Sequence, residues 1–273
     1  MMATLEDIRQ KTMRMRRDIV AMAAEGKTSH VGSALSCVEI LAVLYFKVMN
    51  ISPRNWQSAG ADRFILSKGH GAMAWYAALA EAGFVRREQL AAYAADGGRL
   101  GEHPSHGAVP GIILSTGSLG HGLSVAAGMA LARKIDGLPS RVFAVLSDGE
   151  CNEGSVWEAA MCAAHRQLDN LIVVIDDNRW QALGRSREVN ALEPFKDKWT
   201  AFGWQAYQVD GHDVGALAEV LSGAVIRPGR PSVVIARTCL GKGVSFMEDD
   251  LLWHYQIPSR EQLQKALEEL GPA

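Results

Sequence analysis

The chain has 273 residues, of which 48% are hydrophobic and 21% charged, and its formal net charge is −2. This composition is typical of a globular protein with a buried core, and the nearly neutral charge gives no reason to expect a nucleic-acid partner. The longest apolar run, 37–46, is shorter than the roughly 18 residues that a membrane helix needs. It also contains Glu39, so we expect no membrane partner.

The first half of the chain is predicted to be mainly helical. A helix is expected over 5–24, and a second over 34–49 is apolar on most faces and therefore buried. A short strand over 63–67 leads into a third helix over 72–82. The segment 96–110 is dense in glycine, histidine and proline, and it is long for a passive connection, so it is interpreted as a functional loop.

The second half alternates strands with helices. An Ala/Gly-rich helix ends near Asp136 and precedes the first of these strands. Strands are predicted over 142–146, 171–175, 205–209 and 232–236, and helices over 155–168, 194–202 and 214–226. This alternation predicts an α/β fold with a mostly parallel sheet and helices on both faces. Without a repeat or linker, 1–273 is expected to form one domain, with a C-terminal arm from about 241 that ends in a helix over 261–270.

The cysteines and the N-terminus predict a cytoplasmic protein. Residues 1–7 contain no signal-peptide core, and the four cysteines lie far apart without a Cys-x-x-Cys pair. Reduced thiols are therefore expected, and a redox or metal role for these cysteines is the alternative.

Asp148 and Asn178 follow two successive predicted strands. A helix of about 15 residues advances roughly 22 Å, and a returning strand of about seven residues covers roughly 23 Å. The two lengths nearly cancel, so a right-handed crossover should return Asn178 to the sheet edge where Asp148 lies. Ligands of open α/β sheets bind at this edge.

The residue types at this edge suit a magnesium ion. Mg²⁺ prefers oxygen ligands, and Asp148 offers a carboxylate, Asn178 an amide oxygen and Trp180 a backbone carbonyl. Gly149 allows close approach of a diphosphate, and the helix beginning near Gly154 points its positive end toward that anion. Two ordinary strand-end turns are the alternative interpretation of this spacing.

Three histidines lie in short segments that contain glycine: Ser29-His30-Val31-Gly32, Lys68-Gly69-His70-Gly71 and Gly101-Glu102-His103-Pro104. A fourth lies near the C-terminus in the aromatic segment Trp253-His254-Tyr255. Together with Thr116-Gly117-Ser118-Leu119-Gly120 and Asp148-Gly149…Asp177-Asn178, these segments resemble the motifs of transketolases, and specifically of separately encoded transketolase N-terminal subunits. The resemblance covers nearly the whole chain.

The resemblance implies thiamine diphosphate and Mg²⁺ (or Ca²⁺ or Mn²⁺) as cofactors, in the diphosphate-binding domain of the thiamine-diphosphate fold. It also implies a role for each matching residue. The catalytic residues would be His30, His103 and His254; the cofactor would be bound by His70, Gly117, Leu119, Asp148, Gly149, Glu153, Asn178 and His254; the metal ligands would be Asp148, Asn178 and Trp180.

Four positions depart from the family pattern. Ser147, Val31, Ser118 and Tyr255 stand where the family usually has Gly, Pro, Pro and Gly. We expect the small Ser147 to leave the cofactor site intact, whereas the bulky Tyr255 puts the usual family substrate in question. The alternative interpretation of Trp253-His254-Tyr255 is a packed aromatic hairpin or a dimer contact.

The resemblance implies transfer of a two-carbon ketol unit from a ketose to an aldose, and it implies a partner. In the family, the Glu that activates the cofactor and most phosphate-binding residues lie in a part of transketolase that this chain lacks. A C-terminal subunit is therefore expected to supply them, in an α2β2 assembly that acts on sugar phosphates.

Two alternatives remain open. The first is a subunit of another thiamine-diphosphate enzyme, such as the α subunit of a 2-oxoacid dehydrogenase or a fragment related to deoxyxylulose-phosphate synthase, although His30, His70 and His103 favour a transketolase. A non-catalytic cofactor-binding subunit is the second alternative. The sugar also remains open between a standard pentose phosphate and a specialised one, such as a branched or sulfonated sugar.

Overall fold

A computed structural model describes residues 3–223 and 228–272, and a five-stranded sheet lies at its centre. The strands are β1 (Arg63–Leu66), β2 (Val142–Ser147), β3 (Leu171–Asp177), β6 (Gln205–Asp210) and β7 (Ser232–Arg237), with β4 (Trp180–Gln181) and β5 (Gly184–Arg185) forming a separate hairpin. The order across the sheet is β1-β2-β3-β7-β6, and every neighbouring pair is parallel. The predicted parallel sheet is confirmed.

Helices cover both faces of this sheet. They are α1 (Leu5–Glu25), α2 (Val31–Ser36), α3 (Val38–Val43), α4 (Ala72–Glu81), α5 (Gly122–Ile135), α6 (Gly154–His165), α7 (Ser186–Val189), α8 (Phe195–Ala201), α9 (Val214–Leu221), α10 (Leu252–Tyr255) and α11 (Arg260–Glu269). Within residues 3–223 and 228–272, no helix is long and apolar enough to cross a bilayer.

The central strands are buried on both sides because their side chains alternate between two apolar cores. In β2, Phe143 and Val145 pack in the core formed with α1, α3 and α4. The intervening Ala144 and Leu146 pack in the core formed with α5, α6 and α8. A strand buried on both faces requires a continuous apolar run, which is the pattern that β2 and β3 show.

The predicted helix over 34–49 is wrong in its start and its continuity. The helical segment begins at Val31, is interrupted at Cys37, and ends in a π-helical turn over Leu44–Val48. At the interruption the Cys37 backbone departs from helical values (φ −100°, ψ 13°), and the neighbouring Ser36 hydroxyl bonds to Asp176 (2.5 Å). Apolar periodicity continues through this break and conceals it.

Other differences lie in the second half of the chain. Helix α9 ends at Leu221, whereas the prediction continued to 226, and 224–226 lie outside the described residues. The hairpin of β4 and β5 and the short helices α7 and α10 were not predicted. Each is four residues long or shorter, so it gives no periodic signal in the sequence.

Candidate active site

Three of the four predicted histidines form a cluster. His30 immediately precedes α2 and has a left-handed backbone (φ 69°). His70 lies in the 3₁₀ turn after β1, and His254 lies in α10. The ring centroids are 5.0 Å apart for His30 and His254, 5.4 Å for His30 and His70, and 5.9 Å for His70 and His254. Residues far apart in sequence thus present three imidazoles to one space.

His103 joins this cluster through the Gly117 loop. A Cβ placed on Gly117 would lie 3.1 Å from the His103 ring, so the histidine packs directly against the glycine backbone. A Cβ on Gly69 would lie 2.8 Å from the Gly117 nitrogen. The absence of a side chain on Gly69 therefore lets the backbones of the two loops pack closely. His103 itself is exposed and Leu119 is half-buried.

The clustered histidines are kept neutral by their surroundings. Burial, followed by the neighbouring His254, lowers the pKa of His30 to about 4. Burial and then Lys68 lower the pKa of His254 to about 4 and that of His70 well below its ordinary value. The buried Nδ1 atoms of His30 and His254 have no hydrogen-bond partner among the described residues. Each Nδ1 atom can therefore form a hydrogen bond with a bound ligand.

NMR titration can test this neutrality. We expect the imidazole Cε1–H signals of His30 and His254 to titrate with midpoints near pH 4. The unfolded chain takes up these protons near pH 6.5, so this contribution to stability is present above about pH 6.5 and is lost as the pH falls toward 4. His30→Asn and His254→Asn assign the two signals, and midpoints near pH 6.5 in both would contradict a desolvated cluster.

Asp148 lies at the carboxyl edge of the sheet, directly after β2. Its side chain is fully buried, and its Oδ2 atom accepts a hydrogen bond from the Ser186 hydroxyl (2.5 Å). Its Oδ1 atom has no partner within the described part of the chain. Burial, and then the nearby Asp177, raise the Asp148 pKa to about 7. A buried carboxylate oxygen without a partner is a costly arrangement that a bound cation would relieve.

Asn178 follows β3 at the same edge, as predicted. Its amide nitrogen donates to the Ser36 hydroxyl (3.5 Å), and its Oδ1 atom accepts from the Trp180 backbone N–H (2.9 Å). Ser36 ends α2, whose other end follows His30. Helix α2 therefore links the histidine cluster to the Asp148–Asn178 edge.

The oxygen donors at this edge fit a magnesium ion. One carboxylate, one amide and the Trp180 carbonyl form a set of the kind that Mg²⁺ accepts, with phosphate and water completing the shell. Within residues 3–223 and 228–272, no group of three or more His, Cys, Asp or Glu side chains is arranged to hold a metal. The predicted ligand set contains one side chain of these four types, that of Asp148. Its other two ligands are the Asn178 amide oxygen and the Trp180 backbone carbonyl.

The start of α6 faces the same region. Gly149 opens a 3₁₀ turn after Asp148, and Glu153 precedes the first residue of α6. Glu153 is exposed and lies against Gly120, where a Cβ would lie 2.7 Å from the Glu153 Cβ. The loops that contain Gly117 and Leu119 and the start of α6 are therefore neighbours.

Comparison with known proteins identifies this arrangement. The family model of the transketolase thiamine diphosphate binding domain matches residues 7–271. The chain belongs to the transketolase family. The resemblance to transketolases, the fold class and the assignment as a thiamine diphosphate binding domain are thereby confirmed. The roles of the individual site residues stay predictions.

The relatives of this transketolase chain include separate subunits and complete enzymes. One subunit of the apulose-4-phosphate transketolase from Actinobacillus succinogenes is 40% identical over 267 residues, which are 97% of this chain and 96% of the relative. The 6-deoxy-6-sulfo-D-fructose transketolase subunit SqwG from Clostridium sp. is 44% identical over 241 residues, 88% of each chain. The chain is an N-terminal, ketol-transferring transketolase subunit of this separately encoded kind.

The solved transketolase from Leishmania mexicana matches with a TM-score of 0.88 and 26% identity. The match covers 99% of this chain and 42% of the solved one. This transketolase subunit thus spans less than half the length of a complete transketolase chain.

The four departures from the family pattern have different structural consequences. The Ser147 hydroxyl accepts from the Glu150 N–H (3.2 Å) and so stabilises the turn after Asp148. Val31 is the first residue of α2, a position that suits proline but does not require it. Ser118 is exposed. Tyr255 has the largest effect: its ring lies 4.9 Å from His254, and its hydroxyl donates to the Ala182 carbonyl (3.0 Å).

Two buried polar groups at this edge were not predicted. Lys68 forms an ion pair with Asp176, which also accepts hydrogen bonds from Ser36 and Thr238. Glu150 accepts hydrogen bonds from the Ser67 hydroxyl and the Gly120 N–H. The sequence contained one signal for the first group, because Asp176 and Asp177 are charged residues at the end of an otherwise apolar strand.

Proposed function

We propose that this subunit holds thiamine diphosphate through a Mg²⁺ ion and, with a partner chain, transfers a two-carbon ketol unit from a ketose or ketose phosphate to an aldose or aldose phosphate. The observation that supports this best is the placement of three neutral histidines beside a sheet edge where Asp148 has an unpaired, buried oxygen. The carboxylate oxygen suits the metal ion of a metal-bound diphosphate, and the neutral imidazoles suit the hydroxyl groups of a sugar.

In this proposal, Asp148, Asn178 and the Trp180 carbonyl hold the ion, and Gly149, Glu153 and the start of α6 border the diphosphate. Burial raises the Asp148 pKa to about 7, because it disfavours the charged carboxylate. A bound divalent ion would balance this charge and so offset the cost of burying it. Helix α6 is 12 residues long, so its N-terminus contributes a positive dipole end toward the diphosphate. Gly117, Leu119 and His70 border the remainder of the cofactor.

Bound thiamine diphosphate supplies the nucleophile and the electron sink for breaking and forming the carbon–carbon bond. The chain's own residues orient the sugar and move protons. His30 and His254, neutral and with unpaired Nδ1 atoms, are placed to exchange protons with substrate oxygens near the reacting carbon. His103, exposed at the edge of the cluster, is placed to bind a hydroxyl of the donor ketose.

The partner in this proposal is a C-terminal transketolase subunit. It supplies the activating Glu and most phosphate-binding residues, and two copies of each chain form an α2β2 assembly. The apulose-4-phosphate and sulfofructose relatives support a two-chain enzyme, because each is named as a subunit and so implies a second chain.

The sugar substrate is proposed to be a specialised ketose phosphate or sulfonate. The relatives named for apulose-4-phosphate and 6-deoxy-6-sulfo-D-fructose transketolases favour a branched or sulfonated sugar over a standard pentose phosphate. The ring of Tyr255, 6.4 Å from the His30 ring, reduces the space beside the cluster and is consistent with an unusual substrate.

Two further features belong to the proposal. We infer a cytoplasmic location, because Cys37, Cys151, Cys162 and Cys239 are all free thiols. We also infer that 1–273 folds as one domain with an arm from about 241, because Arg17 of α1 donates to the Leu267 carbonyl of α11 (2.9 Å) and so fastens the C-terminal helix to the rest of the fold.

Reconstitution with the partner subunit tests this function. The chain with partner, thiamine diphosphate and Mg²⁺ should transfer ketol units from ketose donors, and the chain alone should not. His30→Ala should lower kcat/KM by about 100-fold or more, because a group that transfers protons is lost. His165→Ala, at an exposed position in α6, is the matched control and should retain full activity.

Three outcomes would contradict the proposal. Turnover of 2-oxoacid donors but not of ketoses would favour a 2-oxoacid dehydrogenase subunit. Cofactor binding without any turnover in the reconstituted complex would favour a non-catalytic subunit. Equal activity of the two histidine variants would remove His30 from the mechanism.

A further inference from the structure

Residues 241–255, the first part of the C-terminal arm, carry His254 and are tied to the hairpin of β4 and β5 at two places. At the first, the Asp249 carboxylate accepts hydrogen bonds from both Arg185 Nη atoms (2.6 and 2.7 Å) and from the Trp180 indole N–H (3.0 Å). At the second, the Tyr255 hydroxyl donates to the Ala182 carbonyl (3.0 Å). The two places flank His254 in the sequence.

The first contact is a partly exposed ion pair, with 28% of the Arg185 side chain and 46% of the Asp249 side chain accessible to solvent, but its geometry is bidentate. The Arg185 guanidinium lies 3.7 Å from the centre of the Trp180 ring, so stacking fixes the fork that grips the carboxylate. Hydrogen bonds from Arg185 lower the Asp249 pKa and keep the carboxylate charged. Asp249 has a left-handed backbone (φ 58°), and its N–H donates to the Leu240 carbonyl (2.8 Å). A turn within the arm thus presents this carboxylate to the hairpin.

The hairpin in turn borders the predicted metal ligands. Trp180 begins it two residues after Asn178, and its backbone N–H bonds the Asn178 side chain. Ser186, which follows β5 directly, donates to Asp148 (2.5 Å). A hairpin with two residues in each strand has little stability of its own, so its position depends on contacts of this kind.

The arm also reaches the histidine cluster through its backbone. The His30 N–H donates to the His254 carbonyl (3.0 Å), and the His254 Nδ1 atom is buried beside His30. A displacement of the arm would therefore move both histidines relative to the Asp148–Asn178 edge.

We propose that Asp249 is a positioning residue of this transketolase subunit. By fastening the arm onto the hairpin through Arg185 and Trp180, it aligns His254 with the metal-binding edge, and it couples binding of the cofactor and metal to ordering of the arm. This inference rests on the proposed function for the identity of the ligand. The contact itself does not depend on that identity.

The test uses the full chain with its partner subunit and compares three variants. Asp249→Asn keeps the side-chain shape and tolerates the left-handed backbone but loses the charge. Arg185→Gln removes the other half of the contact. Arg187→Gln is the matched control, because the Arg187 side chain is 82% exposed and forms a long ion pair with Glu188 (3.5 Å) rather than a contact with Asp249. Measurements are thiamine diphosphate affinity at saturating Mg²⁺ and the rate of tryptic cleavage after Lys242, at the start of the arm.

We expect Asp249→Asn and Arg185→Gln each to weaken cofactor affinity by about ten-fold or more, as loss of a residue that orients a metal ligand does. The double variant should be no weaker than either single variant, because both remove one contact. Without cofactor, both variants should be cleaved after Lys242 faster than the wild type. Cofactor should protect the wild type and Arg187→Gln from cleavage, and it should protect Asp249→Asn much less.

Two results would overturn the inference: equal cleavage of Asp249→Asn and Arg187→Gln without cofactor, or equal protection of both by cofactor. A wild type that is not protected and does not bind the cofactor would contradict the proposed function instead. In that case, the cleavage rates without cofactor still decide whether Asp249 fastens the arm.

Discussion

Asp148→Ala is expected to lower thiamine diphosphate affinity in the presence of Mg²⁺ by about 100-fold or more, because the only carboxylate of the predicted ligand set is removed. The same change removes a buried carboxyl group, and the Oδ1 atom of this group has no hydrogen-bond partner among the described residues. The folded chain should therefore remain intact while the cofactor site is lost. Calorimetric titration of thiamine diphosphate with Mg²⁺ present measures the effect.

Asp197→Ala is the matched control for this experiment. Asp197 is an exposed carboxylate on α8 outside the predicted ligand set, and its loss should leave cofactor affinity unchanged. Circular dichroism of both variants separates loss of binding from loss of structure. If Asp148→Ala binds as tightly as the control, the ion is not held at this edge of the sheet.

Lys68→Met is expected to lower the free energy of unfolding by about 3–5 kcal/mol, because it leaves a buried carboxylate without its cation. Lys68 and Asp176 are both completely buried, and Lys68 also donates to the Ser33 carbonyl (2.9 Å). Burial opposes the Lys68 charge, but the Asp176 carboxylate outweighs it and raises the Lys68 pKa. Urea unfolding followed by circular dichroism gives the change.

Two further variants make this result specific. Lys134→Met breaks a solvent-exposed pair with Asp169 (2.9 Å) and should cost about 1 kcal/mol or less. Lys68→Met combined with Asp176→Leu removes both charges together and should recover part of the lost stability. A loss for Lys68→Met no larger than that for Lys134→Met would show that the buried pair contributes nothing special.

The sheet was predictable from the sequence because its strands carry a strong and simple signal. The apolar runs that became β2, β3 and β7 are each flanked by polar turn residues and separated by helical segments. The edge strand β6 alternates buried and more exposed positions, and it was correctly expected to give the weaker signal. The break at Cys37 was not predictable, because the apolar pattern continues through it and neither glycine nor proline marks it.

Within the candidate site, segments that contain glycine marked His30, His70 and His103, and strand ends marked Asp148 and Asn178. The structure brings His30, His70 and His254 together and places Asp148 and Asn178 at one edge. Asp249 and Arg185 could not be predicted, since a pair of opposite charges 64 residues apart has no local pattern. Their importance follows only from the tertiary contact with Trp180.

The strand order also has a consequence for the growing chain during synthesis. Strands β2 and β3 with the intervening α6 form one contiguous stretch, Val142 to Asp177, which can pair soon after it leaves the ribosome. Among the described strands, β6 pairs with β7 alone, and β7 is synthesised after β6. This edge of the sheet can therefore form only after most of the last third of the chain has been synthesised. We therefore expect the edge that carries Asp148 and Asn178 to be assembled early, whereas the arm with His254 can join only near the end of translation.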